Sequence, residues 1–357
     1  MRGGNLTSIG GRVELGSVHN GVVGITKDQT LSYDPNLKFG QILISEESSI
    51  DVSGRGRVEF QIQGEEIKVR DASIIVGEIK GDEGGGASIL KASKSIIIEG
   101  RIPFENNITS SFNVSLFSDK LEAGEALNIN KTNSAIILIT YGKGNVGELT
   151  VETESLTLDP GAFISTTTLG QGNGGNLTVF AKDIEMNGGD FFGGLVSASV
   201  NQGNGGNLTV KAAESLTLQG GAQISTSTVS QGHAGNLTVS ARDILSGDSS
   251  GFTSETLGQG NGGNITVKAA ESLTLQDGVW ISTTTYGEGN AGNLTVFARD
   301  IEIIGKSPDG EYFSSLTAEA KKRINRSSRN HNHQHRNPQP PERSRNYSHL
   351  CYPTSCR

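Results

Sequence analysis

Three aspartates of the chain lie beside a basic residue in a recurring Ala-Lys-Asp-Ile or Ala-Arg-Asp-Ile motif. They are Asp183, Asp243 and Asp300, preceded by Lys182, Arg242 and Arg299. Carboxylates beside cations can act as general acids and bases, and β-helix enzymes that cleave acidic polysaccharides gather several such groups on one face. An active centre also needs these groups in one cleft, with perturbed pKa values. Because the motif recurs at a nearly constant spacing along the chain, we expect equivalent solvated turns and no catalytic centre.

Glycine-rich segments of the form Gly-Asn-Gly-Gly-Asn could in principle hold an ion. They cover residues 172–176, 203–207 and 260–264. A phosphate cradle requires a helix N-terminus after the loop and usually a lysine, whereas a strand pattern follows each of these segments. Calcium-binding nonapeptide repeats require an aspartate at a fixed place, which these segments lack. We therefore expect turns in which glycine supplies positive φ and asparagine side chains stack from one turn to the next.

The remaining residues with chemical potential are scattered. His19 and His233 are isolated, without the spacing of metal ligands. Trp280 is expected to be a partly exposed strand residue, with stacking on a sugar as the alternative. Asn-x-Ser/Thr triplets resemble glycosylation acceptors, but most of them coincide with the start of a repeated strand: Asn5, Asn107, Asn113, Asn130, Asn176, Asn207, Asn236, Asn264 and Asn293. The sequence thus predicts no catalytic, cofactor-binding or metal-binding residue.

Charge divides the chain into two parts. Residues 1–320 hold 21 of the 30 Lys and Arg residues and 37 of the 38 Asp and Glu residues, a net charge of −16, whereas residues 321–357 carry +8. The acidic body argues against a nucleic-acid partner, because phosphate binding needs basic surface. No apolar run approaches the ~20 residues of a transmembrane helix, and the first residues lack the pattern of a signal peptide. Both cysteines, Cys351 and Cys356, lie in the basic part.

A single motif restarts six times along the chain. Gly-x-Leu/Ile-Thr-Val begins at intervals of about 29 residues, a spacing typical of repeat proteins, at Gly147, Gly175, Gly206, Gly235, Gly263 and Gly292. A period held this closely, in a chain with 49 glycines, indicates a stacked array in which each repeat contacts its neighbours. The repeat therefore determines the predicted fold.

Each repeat contains three short segments of alternating apolar residues. In residues 206–234 these are Leu-Thr-Val, Ser-Leu-Thr-Leu and Ala-Gln-Ile-Ser-Thr. Such alternation predicts strands, and strands this short need parallel neighbours above and below, which stacked coils supply. The sequence predicts an all-β protein. We expect a right-handed parallel β-helix, a pectin-lyase-like solenoid, with three short strands per coil of about 29 residues.

Two kinds of repeat alternate along the array. Repeats with Glu-Ser-Leu-Thr-Leu alternate with repeats that carry the Ala-Lys/Arg-Asp-Ile motif, so the paired unit is two restarts long. We expect two coils in each pair, rather than three coils of about 19 residues. Irregular coils are expected over residues 1–146, with an insertion or departing loop over 106–123. Regular coils are expected over 147–320 and a disordered basic tail over 321–357.

The repeat carries a family resemblance. The runs Gly-Gly-Asn-Leu-Thr-Val, Glu-Ser-Leu-Thr-Leu-Gln and Gly-Asn-Leu-Thr-Val-x-Ala-Arg-Asp-Ile resemble the repeats of cyanobacterial filamentous-haemagglutinin-like proteins, the large exoproteins of two-partner secretion. Gly-Gly-Arg-Val-Glu-Leu-Gly-Ser-Val at 10–18 resembles the segment after their secretion domain, and the likeness extends over residues 10–320. It implies a right-handed parallel β-helix, export through an outer-membrane β-barrel transporter and adhesion to surfaces or cells. The family's signal peptide and secretion domain have no counterpart, so an internal or C-terminally truncated fragment is expected.

The basic tail has two explanations. Its run His-Asn-His-Gln-His at 331–335 and its arginines would suit a metal ion or a nucleic acid. Alternatively, the tail is the same gene in another reading frame. One nucleotide downstream, the codons from Asn330 permit Ile-Thr-Ile-Thr-Asn-Ile-Glu-Thr-Leu-Asn-Leu-Arg-Asn-Gly-Ala-Glu-Ile-Thr-Val-Thr-Ser, which aligns with the repeat that begins at Ile265. We favour loss of the frame near Lys321 or Lys322, which leaves the histidines and cysteines without a role.

These observations predict a non-enzymatic, adhesin-like or structural surface exoprotein of the filamentous haemagglutinin type, without cofactor. The alternative is a carbohydrate-binding or polysaccharide-cleaving β-helix protein, which would gather several carboxylates and a base in one groove. Cell-surface or glycan targets are expected without being identified, and neither a nucleic-acid partner nor a transmembrane segment is expected. The resemblance implies an extracellular location or one at the outer-membrane surface.

Overall fold

The computed structural model describes residues 1–34, 36–100, 133–189, 193–229 and 231–321. Within these ranges the protein is all-β, without a helix, and its parallel strands stack as a β-solenoid. Met1–Arg323 form one compact unit. The predictions of a departing loop over 106–123 and of a disordered basic tail fall outside the described residues, apart from Lys321.

The described chain contains 26 strands. The irregular first coils contain β1 (Asn5–Thr7), β2 (Arg12–Gly16), β3 (Val18–Asn20), β4 (Val23–Ile25), β5 (Leu31–Tyr33), β6 (Lys38–Phe39), β7 (Gln41–Ile44), β8 (Ser49–Asp51), β9 (Glu59–Val69), β10 (Ile74–Ile79), β11 (Ala87–Ile98) and β12 (Ala135–Thr140). The regular coils contain β13 (Glu148–Glu152), β14 (Ser155–Leu158), β15 (Phe163–Thr168), β16 (Asn176–Asn187), β17 (Gly194–Val196), β18 (Leu208–Gln219), β19 (Gln223–Ser225), β20 (Leu237–Ser246), β21 (Gly251–Thr253), β22 (Ile265–Gln276) and β23 (Trp280–Ser282). The last described coil contains β24 (Leu294–Phe297), β25 (Asp300–Ile304) and β26 (Ser315–Thr317).

Two parallel sheets form the walls of the solenoid. The long-strand sheet has 12 strands and follows the order β2-β9-β11-β13-β16-β18-β20-β22-β24, with β7, β14 and β25 beside this path. The short-strand sheet has 10 strands, in the order β1-β8-β10-β12-β15-β17-β19-β21-β23-β26. Single bridges close the third side of the coil, from Thr168 through Ser199, Thr228, Thr256 and Thr285 to Ala320.

The strand register confirms the predicted coil length. Leu177 pairs with Leu208, Leu208 with Leu237 and Leu237 with Ile265. The separations of these partners along the chain equal the intervals between the restarting glycines that precede them. The paired unit therefore consists of two coils, as predicted, because every strand pairs with its equivalent in the next repeat.

Inward-facing apolar side chains form one continuous core along the solenoid. Each regular coil contributes a residue to each of several columns, and one column consists of Leu149, Leu177, Leu208, Leu237 and Ile265, all fully buried. Burial of a Leu or Ile side chain contributes about 1.5–3 kcal/mol relative to exposure. The columns position the outward residues between them, since successive side chains of a strand point to opposite faces.

The three predicted strand segments are all extended, but the first two are joined in most coils. β16, β18, β20 and β22 each run without interruption through the segment that was expected to separate Leu-Thr-Val from Ser-Leu-Thr-Leu. A register shift, between Ala181 and Asp183 for example, absorbs the difference in length between neighbouring coils. The backbone remains extended there because the coils above and below supply pairing partners.

The first coils are less regular, as predicted, and they carry insertions. Two antiparallel pairs, β3 with β6 and β4 with β5, interrupt the first long strand between Gly16 and Gln41. A second insertion lies between β11 and β12. Ile75 pairs with Ile136, so the chain between these partners exceeds an ordinary coil by about the length of the segment 101–132.

Candidate functional site

The glycine-rich loops bring the backbones of successive coils into very close approach. A Cβ atom on Gly206 would lie 2.1 Å from the carbonyl oxygen of Gly175, and one on Gly235 would lie 2.0 Å from that of Gly206. The expectation that glycine supplies positive φ in the segments 172–176, 203–207 and 260–264 is wrong, because no glycine of these segments adopts it. Glycine is required here because any side chain would collide with the coil below.

Asparagines in the same loops form two ladders along the solenoid, as the sequence predicts. In one ladder, the backbone N–H of Asn207 donates to Oδ1 of Asn176 (3.0 Å), Asn236 donates in the same way to Asn207, and Asn264 to Asn236. In the other, Asn173, Asn204 and Asn290 donate to the asparagine of the coil below. Each rung satisfies a backbone donor at an exposed turn, so the loops hold coils together and are not arranged as an ion cradle.

The isolated His233 belongs to the second ladder. Its backbone N–H donates to Oδ1 of Asn204 (2.8 Å), and its Nδ1 accepts the N–H of Asn261 (2.9 Å). Imidazole therefore replaces an asparagine side chain as hydrogen-bond acceptor. His19 is exposed on β3, far along the chain from His233. Among the residues that the structure describes, no three His, Cys, Asp or Glu side chains are grouped so that they could hold a metal ion.

Most of the Asn-x-Ser/Thr triplets are explained by the first ladder, since Asn176, Asn207, Asn236, Asn264 and Asn293 are its rungs. The triplets at Asn107, Asn113 and Asn130, the histidine run at 331–335 and the two cysteines lie outside the described residues. No helix that could cross a membrane is found in the described ranges.

The aspartates of the Ala-Lys/Arg-Asp-Ile motif bind serines of the neighbouring coil. Asp183 accepts a hydrogen bond from Ser215 (2.6 Å), and Asp243 accepts one from Ser272 (2.6 Å). In both pairs the serine belongs to a Glu-Ser-Leu-Thr-Leu repeat. The hydrogen bond from Ser272, together with that from Arg242, holds the pKa of Asp243 below its usual value. These aspartates lie on continuous strands at the register shift, not in turns as predicted.

Two of the basic residues before these aspartates, Arg242 and Arg299, form a column of alternating charge with glutamates of the coil below. Arg242 binds Glu214 of the coil below (2.7 Å) and Asp243 (2.8 Å), and Arg299 binds Glu271 and Asp300 in the same way. The column therefore alternates in sign from coil to coil. The two kinds of repeat alternate because each one supplies the partner that the other lacks. The three aspartates are two coils apart and do not converge, as predicted.

No protein-family model, curated protein or solved structure matches this chain.

The two sheets present different outer faces. Outward threonines of the long-strand sheet, such as Thr178 and Thr209, are half-exposed in a flat row. Outward hydroxyls of the short-strand sheet are buried, and pairs on one strand bond to each other, as Ser165 does with Thr167 (2.7 Å) and Ser282 with Thr284 (2.8 Å). Side chains two residues apart on a straight strand are separated by about 6.6 Å, so the two hydroxyls of each pair lean toward each other. We call this face the hydroxyl strip: Ser165, Thr167, Ser225, Ser227, Thr253, Ser282 and Thr284.

A carboxylate interrupts the hydroxyl strip. Glu255 occupies the position that Ser227 and Thr284 hold in the coils below and above. Burial raises the pKa of Glu255, while a hydrogen bond from Ser282 and the charge of Lys321 lower it by smaller amounts. Sequence reasoning missed this residue. Its signal was an acid between Ser227 and Thr284, in a column that also contains Glu78 and Glu319 in other coils. This signal becomes visible once the register is known.

Trp280 lies at one margin of the hydroxyl strip. It is half-buried on β23, which confirms the predicted partly exposed strand position. A Cβ atom on Gly251 would lie 2.9 Å from the indole, so the ring lies directly against that glycine. Packing against the preceding coil accounts for the orientation of the ring.

Proposed function

We propose that the chain is part of a non-enzymatic, adhesin-like surface exoprotein of the filamentous haemagglutinin type, delivered by two-partner secretion. The resemblance of the repeats supports the family, and the solenoid supports a long, uniform scaffold. One observation carries the proposal: the conspicuous polar residues recur once per coil or once per pair of coils and bond between coils, so they form no convergent centre. A protein built in this way offers repeated surface rather than a single site.

The flat outer face of the long-strand sheet is the surface that we assign to adhesion. Its central row consists of Thr150, Thr178, Thr209, Thr238, Thr266 and Thr295, which lie in register on successive strands. Strands in a sheet are about 4.8 Å apart, so the row presents hydroxyls at that interval. Repeated weak contacts of this kind add up by avidity, which suits hydrogen bonding to a polymeric glycan or a cell surface.

Retention on polysaccharide-coated surfaces and on cells tests the proposal. A chain with Thr178→Val, Thr209→Val, Thr238→Val and Thr266→Val keeps the β-branched shape and loses four hydroxyls. We expect it to remain folded by circular dichroism, and we expect retention to fall by roughly two- to ten-fold per hydroxyl. The matched control carries Thr26→Val and Thr30→Val on the antiparallel insertion, away from this row.

Absence of retention of the parent chain on every surface would contradict adhesion, as would equal retention of the parent and the quadruple variant. A second candidate function, binding or cleavage of a polysaccharide, is favoured by Glu255, whose carboxyl lies beside hydroxyls in the hydroxyl strip and has a raised pKa. Release of reducing ends that disappears in Glu255→Gln would support cleavage in place of the adhesive scaffold.

A further inference from the structure

The last described coil is of the Ala-Arg-Asp-Ile kind, and its aspartate is at the end of the stack. Asp183 and Asp243 each accept a hydrogen bond from a serine of the following coil. Asp300 is the next member of this column, since it pairs in register with Ser272 of the coil below. Its position therefore calls for a hydroxyl from a coil above, one that belongs to the Glu-Ser-Leu-Thr-Leu kind.

The same end face exposes the apolar core. Ile301 and Ile303 are 50% and 38% exposed, whereas their partners in the coil below, Leu273 and Leu275, are fully buried. Leu294 and Val296 of β24 are likewise only half-buried, whereas their partners Ile265 and Val267 are fully buried. A solenoid normally ends in a capping repeat with a polar outer face. This face instead has the apolar columns and open strand edge of an interior coil, and another parallel coil would cover both.

The backbone remains in register up to the residue where the composition changes. The N–H of Lys321 donates to the carbonyl of Thr285 (2.7 Å), just as Tyr286 donates to Thr256 one coil earlier (2.8 Å). In the regular coils, the next long strand begins at a constant distance along the chain from the core residue of the short strand, as Leu294 follows Ile281. The same distance from Leu316, the equivalent core residue, places the next strand at position 329.

The tail, translated one nucleotide downstream, permits a matching coil that begins one residue beyond this position. The permitted sequence begins at the codon of Asn330 and continues through Glu-Thr-Leu-Asn-Leu-Arg-Asn-Gly. Its Glu-Thr pair aligns with Glu271 and Ser272, so it supplies an acid for Arg299 and a hydroxyl for Asp300. Its two leucines align with Leu273 and Leu275 and would cover Ile301 and Ile303. The permitted sequence is therefore of the Glu-Ser-Leu-Thr-Leu kind, which is the kind that should follow an Ala-Arg-Asp-Ile coil.

We propose that the end face formed by Arg299, Asp300, Ile301 and Ile303 is a docking surface for one further coil of the Glu-Ser-Leu kind, and that the nucleotides encoding residues 330–350 specify this coil in the frame one base downstream. Two independent observations support this proposal. The structure calls for a particular kind of coil, and the sequence permits that kind within one residue of the required distance.

The test is a repaired chain in which residues 322–357 are replaced by the downstream translation. Its thermal unfolding midpoint should rise by more than about 2 °C above that of the full natural chain, and its binding of an apolar fluorescent dye should fall. Asp300→Ala should reduce the gain in the repaired chain and leave the midpoint of the natural chain unchanged. A control replacement of equal length, with the Glu-Thr pair exchanged for Arg-Asp, should stabilise less than the repaired chain.

Two results would overturn the proposal. One is a gene whose downstream frame lacks the Leu-x-Leu pattern followed by Asn-Gly. The other is a repaired chain with the same midpoint and dye binding as the natural chain. Both readouts concern stability and coding, so they are independent of whether the protein adheres to a surface.

Discussion

At the scale of single residues, Glu255 is the most unusual group of the described chain. It brings a carboxyl into a column where the two adjacent coils have Ser227 and Thr284, and burial raises its pKa. Composition gave no warning of it, since the acidic body has many carboxylates. Its environment depends on which residues of the short strands face outward and on how closely their side chains pack. Neither property can be derived from one repeat alone.

Glu255 predicts a pH dependence of stability. Because the pKa of its carboxyl is above the ordinary value in the folded chain, the folded state binds more protons than the unfolded state between the two pKa values. The contribution of Glu255 to stability is therefore fully present below the ordinary pKa of a glutamate. It is lost as the pH rises through the pKa that Glu255 has in the folded chain. Glu255→Gln should raise the free energy of unfolding relative to the parent at pH 7 and change it less near pH 3.5.

Urea unfolding at several pH values measures this difference. The exposed Glu148 supplies the control, because Glu148→Gln removes an acid from the start of a long strand without entering the hydroxyl strip. A constant offset between the parent and Glu255→Gln across the whole range would show that the carboxyl of Glu255 is not desolvated in the folded chain.

At the scale of elements, the loops that precede the long strands explain why the repeat begins with glycine and asparagine. The sequence predicts turns with stacked asparagines, and the ladders through Asn176, Asn207 and Asn236 confirm this. The role of glycine was not predictable in the same way. Glycine is needed because two coils lie too close together for a side chain. The positive φ that the sequence suggested is a property of a single residue and says nothing about this distance. The joining of the first two strands was missed for a similar reason, since neighbouring coils keep the backbone extended.

Gly206→Ala should destabilise the protein by about 2–3 kcal/mol, because the new Cβ atom would lie 2.1 Å from the carbonyl oxygen of Gly175 and the coils would have to separate locally. Gly4→Ala is the matched control, since a Cβ atom on Gly4 meets no atom within 4 Å. Chemical denaturation of the two variants and the parent measures the effect. Equal stabilities of the two variants would show that close approach of the coils is not the reason for the glycine.

At the scale of the whole molecule, the solenoid is a stack of coil pairs. The length of a coil was predictable because paired residues on neighbouring strands are separated along the chain by the same intervals as the repeated glycines. The reason for the alternation was not, because it requires the identity of facing residues in neighbouring coils. Asp183 with Ser215, and Arg242 with Glu214, show that each kind of repeat is complementary to the other. The pair is therefore the unit that can be added or removed without leaving like charges in contact.

Two deletions compare the pair with the single coil. Removal of the segment 208–264 takes out one coil of each kind and brings Asp183 opposite Ser272. Removal of the segment 208–236 takes out a single coil and brings Asp183 opposite Asp243, with Lys182 beside Arg242. The second chain is longer by one coil, yet it loses the hydrogen bond to Asp183 and places like charges together.

The thermal unfolding midpoints of these two chains test the central claim most directly. If the alternating polar residues hold coil to coil, the longer chain should unfold at least about 2 °C below the shorter one. A longer chain that unfolds at the same or a higher temperature would contradict the claim, because coils would then stack equally well whatever their kind.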